Sequence, residues 1–253
     1  MTRSSQILED KLLSKVGKAI EDYSLIEEGD NILVALSGGK DSWTLLHLLE
    51  LLRKRAPIKF SLKVATVHPG FEGFETDLLE AYLRSRGFEY IIKRTRMLEV
   101  IREKLNPDSS FCSFCARLRR GILYNLAPEL GCNKIALAHN CDDTIETLLL
   151  NQFYSGQLKA MPPKLFSDDG RNIVIRPMIY LKEADIAKYA DAKKFPIIYC
   201  KCPVYNDQNM KRKQIKKLLA ELEIKNPGTK SNILTALSNV VPSHLMDTDL
   251  RRK

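Results

Sequence analysis

The 253-residue chain is 44% hydrophobic and 28% charged, the balance of a folded globular protein long enough to bury a full α/β core, which excludes a disordered or fibrous chain. No apolar run reaches the roughly 18 residues a membrane span needs, and the polar start MTRSSQILEDKLL differs from a secretory leader, so no membrane contact and a cytoplasmic location are expected. Lys and Arg number 40 against 31 acids, a formal charge of +9, which points to an anionic partner larger than a metabolite.

Helical spacing covers residues 6–22, and NILVALS at 31–37 is a short apolar run flanked by glycines, the pattern of an interior parallel strand. It leads through Gly38 and Gly39 into a leucine-rich helix over 41–55. The strand SLKVATVH at 61–68, a helix around TDLLEAYLRSRG stopped by Gly87, and the strand EYIIKRT follow. RLRRGILYNLAPELG reads as a helix ended by Gly131, NKIALAHN as a strand and DTIETLLLNQFYSG as a helix. Beyond about residue 155 the pattern loosens: MPPKLFSDDGRN reads as loop, IVIRPMIY as a strand, KEADIAKYADAKK as a helix and KQIKKLLAELE as a basic helix. This alternation predicts an α/β fold with a doubly wound parallel sheet over residues 1–200, and a small basic helical region over 201–253.

Ligands of open parallel sheets bind at the carboxyl ends of the strands, where Ser37-Gly38-Gly39-Lys40-Asp41-Ser42 joins strand to helix. Paired glycines let backbone N–H groups approach a phosphate, the helix start adds partial positive charge, and Lys40 supplies a full one. Ser37 and Ser42 offer hydroxyls, while Asp41 is placed to reach a phosphate-bound Mg²⁺ or to cap the helix. An ordinary turn with an aspartate cap accounts for the glycines but leaves the lysine and both serines unused. The glycines abut the lysine, so the Walker pattern does not apply. Asp142 and Asp143, opening a helix after the strand NKIALAHN, suit Mg²⁺ binding, positioning of a base, or capping.

Six cysteines without a secretory signal argue for metal ligation rather than disulfides. Cys112 and Cys115 form one tight pair and Cys200 and Cys202 another, and by spacing alone a closed Cys₄ zinc site is open to them. Basic clusters stand at Arg117, Arg119 and Arg120 and at Lys211, Arg212 and Lys213, each suited to phosphates or to a solvated face. Phe111, Phe114, Phe153 and Tyr154 are candidates for stacking an unpaired base, though their spacing equally suits a core.

SGGKDS resembles the PP-loop of the ATP-pyrophosphatase (adenine nucleotide α-hydrolase-like) superfamily. FCSFCARLRRGILYNLAPELG, AHNCDDTIETLLLNQFYSGQLKAMPPKLFSDDG and the closing NVVPSHLMDTDL resemble the tRNA 2-thiocytidine synthetase family, and the likeness runs from about Leu33 to Leu250. That resemblance implies ATP- and Mg²⁺-dependent replacement of the C2 oxygen of an anticodon-loop cytidine by sulfur, on an enzyme carrying a [4Fe-4S] cluster. It further implies tRNA as partner, a sulfur donor such as a cysteine desulfurase, and a homodimer. By the same resemblance Ser37 to Ser42 hold ATP, Lys40, Asp41, Asp142 and Asp143 act in catalysis, and Cys112 and Cys115 ligate the cluster. Cys202 is the expected third ligand and Cys200 the alternative, because YCKC spaces its cysteines more closely than the family pattern does. A second departure is the short His68-Pro69-Gly70 where the family has a longer segment containing aspartate. Another PP-loop tRNA thiolase making 2-thiouridine, a lysidine-type ligase and a zinc-stabilised RNA-binding module are the competing readings.

Overall fold

The computed structural model describes residues 3–71, 73–105, 111–198 and 210–249, which fall into two compact units: 1–141 with 162–209, and 142–161 with 210–253. The domain boundary expected near residue 200 lies outside the described residues.

The first unit is built on a six-stranded sheet ordered β3-β2-β1-β4-β6-β5, with β1 (Asn31–Ala35), β2 (Ser61–His68), β3 (Glu89–Arg94), β4 (Lys134–Ala136), β5 (Lys164–Phe166) and β6 (Ile173–Ile175). All neighbours are parallel except β5, which runs antiparallel to β6 at the edge. MPPKLFSDDGRN, expected as loop, therefore contains a strand: three residues suffice because only one side of β5 needs a partner. Successive residues of β1 point to opposite faces. Ile32 and Val34 enter a core with α1 (Arg3–Tyr23), α2 (Lys40–Arg55) and α7 (Glu183–Lys193), while Leu33 joins Leu123, Leu126 and Ala127 of α5 (Phe111–Glu129). Both faces of the sheet are thus covered, and the fold is α/β and doubly wound, as a parallel sheet with apolar runs requires.

Two short helices, α3 (Asp77–Ser85) and α4 (Met97–Lys104), flank β3; α4 carries no start signal in the sequence and was not expected. α5 begins at Phe111, so the cysteine pair lies within a helix rather than ahead of one.

The second unit takes up α6 (Cys141–Ser155) from Asp142 onward, and adds α8 (Met210–Lys225) and α9 (Thr229–Ala236). Ile145 of α6 packs with Ile215 and Leu219 of α8, and Leu149, Leu150, Ile233 and Leu234 close around them. Among the described residues no helix is long and apolar enough to cross a membrane.

Candidate active site

β1 is followed through the chain by β2 on one side, yet its other neighbour is β4, so strand order reverses between β1 and β4. The crevice outside the carboxyl ends of two such strands is where ligands bind. From β1 the chain enters Ser37–Ser42. Leu36 is fixed first: its amide donates to the Ala65 carbonyl (2.8 Å) and its carbonyl accepts the buried Thr66 hydroxyl (2.8 Å). Gly38 then takes a left-handed φ of 83°, and an added Cβ would stand 2.9 Å from Ile198 side-chain atoms. The amide of Ile198 donates to the Gly38 carbonyl at 2.9 Å, and the Trp43 indole donates to the Pro196 carbonyl at 3.0 Å. The segment just before Cys200 is thereby seated against the loop.

The N-terminus of α2 has Gly39 at its cap and no side-chain cap hydrogen bond, so Asp41 does not cap the helix. A helix start without such a cap presents its first N–H groups to an anion. Ser42 instead donates to the Gly39 carbonyl (2.9 Å), and Ser37 donates to Ser42 (3.1 Å). The Lys40 ammonium meets Asp41 at 2.9 Å and Glu183 at 3.2 Å, and these carboxylates outweigh desolvation and raise its pKa. The other oxygen of Asp41 accepts from Asn140 Nδ2 at 3.3 Å, which links the two lips of the crevice. Next to Asn140, His139 accepts from Arg176 Nε (3.3 Å), and burial, with Arg120 nearby, lowers the Arg176 pKa to about 10. Glu183 and Asn140 were missed by the sequence reading. Asn140 closes the run NKIALAHN, and Glu183 had only its place in a helical first turn as a signal.

Cys112 and Cys115 stand one turn apart at the start of α5. Cys115 is half-buried against a cluster of Met97, Ile101 and Phe111, while the Cys112 side chain, Cys200 and Cys202 lie outside what is described. Arg117 and Arg120 are exposed, whereas Arg119 is half-buried and its Nε has no hydrogen-bond partner among the described residues. No group of three or more His, Cys, Asp or Glu among the described residues is arranged to hold a metal.

Within the second unit both aspartates are ion-paired. Asp142 meets Lys230 at 2.7 Å, and Asp143 meets Arg212 at 3.5 Å. Arg212 also contacts Glu146 at 2.9 Å and so turns inward, while Lys211 and Lys213 remain exposed.

A family model described as the PP-loop domain matches residues 8–223. The tRNA-cytidine(32) 2-sulfurtransferase of Syntrophotalea carbinolica is 53% identical over 249 residues, covering 97% of this chain and 96% of that protein. The protein of the same name from Geobacter sulfurreducens is 50% identical over 242 residues, covering 96% and 94%. Among solved structures, the U34-tRNA thiolase NcsA of Methanococcus maripaludis with its [4Fe-4S] cluster superposes with a TM-score of 0.76 over 95% of this chain and 80% of that one. At 23% identity that likeness concerns the fold.

Proposed function

The chain belongs to the PP-loop family of tRNA-cytidine(32) 2-sulfurtransferases, enzymes that thiolate tRNA, and on that premise we propose that it adenylates and then thiolates C2 of a cytidine in the anticodon loop. The observation that carries this reading is the junction of β1 and α2: an uncapped helix start, a left-handed glycine and the Lys40–Asp41 pair stand together at the strand-order reversal.

In this reading the ATP phosphates lie against the first N–H groups of α2, with the Ser37 and Ser42 hydroxyls beside them and Lys40 exchanging carboxylate for phosphate oxygens. The cytidine C2 oxygen attacks the α-phosphorus and pyrophosphate leaves; sulfur then adds at C2 and AMP leaves, so a poor leaving group is replaced by a good one. Lys40 balances the charge that develops on the departing pyrophosphate. Asp41, held by Asn140, would be the carboxylate that holds a phosphate-bound Mg²⁺. The thiol donor set suits a [4Fe-4S] cluster: Cys112 and Cys115 stand one turn apart on one helix, Cys115 packs beside apolar Met97 and Phe111, and Cys202 would complete it. Such a cluster, when bound, offers an iron without a protein ligand that can carry sulfur. Arg117, Arg119 and Arg120 follow on the same helix for phosphate contact. A cysteine desulfurase as sulfur donor, a homodimer and a cytoplasmic location belong to the same reading.

Protein purified without oxygen, given ATP, Mg²⁺, a sulfide source and unmodified tRNA, is expected to yield 2-thiocytidine on nucleoside digestion, and none without ATP. A product of 2-thiouridine overturns the assignment to cytidine, and a zinc-containing, iron-free active protein overturns the cluster.

A further inference from the structure

The structure separates the four aromatic residues that the sequence left equal. Phe111 is 5% exposed and Phe114 packs against the Met97 cluster, whereas Phe153 and Tyr154 are 56% and 43% exposed. They sit side by side in the last turn of α6. The backbone there is pinned: Gly156 turns left-handed (φ 61°), the Gln157 amide donates to Asn151 (3.1 Å), and Asn151 Nδ2 donates to the Lys159 carbonyl (2.7 Å). The Tyr154 hydroxyl donates to Gln214 of α8 at 3.1 Å, and the Lys211 ammonium lies 4.7 Å from its ring centroid.

α8 adds charge of one sign. Its first two turns hold Lys211, Arg212, Lys213, Lys216 and Lys217 with no acid in the first turn. Arg212 is engaged with Asp143 and Glu146, while Lys213 and Lys217 are exposed on one face, Lys217 with a 3.9 Å contact to Glu221. Like charges one turn apart destabilise a helix, and a ring more than half exposed, as Phe153 is, forgoes most of the stabilisation that burial gives. Both features are better satisfied against a partner that is anionic and presents flat apolar faces. Unpaired RNA is that partner, since its splayed bases stack on aromatic rings while the phosphates between them meet cations.

We propose that Phe153, Tyr154 and the exposed lysines of α8 form the docking surface for an unpaired RNA loop, the rings stacking bases and Lys211, Lys213 and Lys217 meeting the flanking phosphates. The proposal rests on tRNA being the substrate, and assigns to this surface the distinction between a loop and a stem, because paired bases in a stem offer no free face.

The test is binding of a labelled anticodon stem-loop and of the same stem closed as a plain duplex, by fluorescence anisotropy on the full chain at several salt concentrations. Phe153→Ala and Tyr154→Ala are each expected to weaken loop binding about tenfold with an unchanged salt slope, leaving the weaker duplex binding as it was. Phe153→Leu, which keeps the bulk and loses the π face, is expected to behave like Phe153→Ala. Lys213→Ala combined with Lys217→Ala is expected to reduce the slope of log K against log salt by about one unit or more. Ring variants that bind the loop as the unaltered chain does, or that lose loop and duplex binding together, overturn the proposal. If the unaltered chain thiolates cytidine while the ring variants bind normally, this surface alone is wrong. If it neither binds the loop nor thiolates it, the tRNA reading fails with it.

Discussion

The ammonium of Lys40 lies 3.2 Å from a carboxylate oxygen of Glu183, a residue 143 positions further along the chain. With Asp41 it forms a charge triplet in which one cation serves two carboxylates. Lys40→Ala is expected to leave those carboxylates facing each other, to cost about 1 kcal/mol for a half-exposed site, and to abolish thiolation while the protein keeps its iron. Adding Glu183→Gln removes the repulsion, so the urea midpoint recovers and thiolation does not. Normal turnover by Lys40→Ala at saturating ATP would remove the loop from the reaction.

Gly38 combines a left-handed backbone with a Cβ position 2.9 Å from Ile198. Gly38→Ala is expected to lose about 1–3 kcal/mol and to weaken ATP binding. Pairing it with Ile198→Ala relieves the packing and leaves the backbone strain, so calorimetry should show partial recovery. Full recovery would make φ irrelevant at this position.

For the cysteines, Cys112→Ser, Cys115→Ser and Cys202→Ser are each expected to lose cluster and thiolation, and Cys200→Ser to retain most of both. If the segment is extended, Cys200 and Cys202 alternate faces, and one metal centre then reaches only one of them. Iron, sulfide and thiocytidine yield, measured on the four variants without oxygen, check this. Four empty proteins would mean a closed site with no open iron.

Arg212 and Lys213 are neighbours in sequence with opposite expected behaviour. The Glu146 side chain beneath Arg212 is 7% exposed, so Arg212→Ala strands a buried carboxylate and should cost about 2–3 kcal/mol by denaturant titration. Lys213→Ala should change stability by under about 0.5 kcal/mol. Equal midpoints for the two variants would contradict the inward role of Arg212.

His47, 2.8 Å from the Tyr189 hydroxyl that donates to Glu9, has its pKa lowered to about 4 by burial, with Lys193 adding to the effect. Unfolded histidine titrates near 6.5, so between these values the unfolded state binds the extra proton and stability falls as pH drops. From pH 6.5 to 5 the loss should be about 1–2 kcal/mol, and His47→Gln should flatten it. The lowered carboxyls of Glu9 and Asp30 titrate below this window and do not obscure it. A pH profile unchanged by the substitution would assign the loss elsewhere.

The first half of the fold was legible because its signals are local. SLKVATVH is β2 residue for residue, and the glycines after NILVA mark the turn into α2. β5 was hidden by prolines before it and Asp-Asp-Gly after it, which punctuate an edge strand as they would a loop. Arg212 was counted among outward cations from composition alone, yet it stands three residues before buried Ile215 and hence on the inward face. The Lys40–Glu183 pair had no local signature, since nothing near either residue records a partner 143 positions away.

The strand-order reversal also sets a sequence of events in folding. Asn31 at the start of β1 bonds Ser61 across 30 positions but Asn133 across 102. Closing the longer loop costs about 1 kcal/mol more in chain entropy, which favours pairing of β1 with β2 before β4 docks beside them. The Asn140–Asp41 bond, spanning 99 positions, forms only after that docking. A chain stopped short of residue 134 therefore carries all of Ser37–Ser42 and still has a single wall of the crevice, which makes nucleotide capture a late event in the maturation of the molecule.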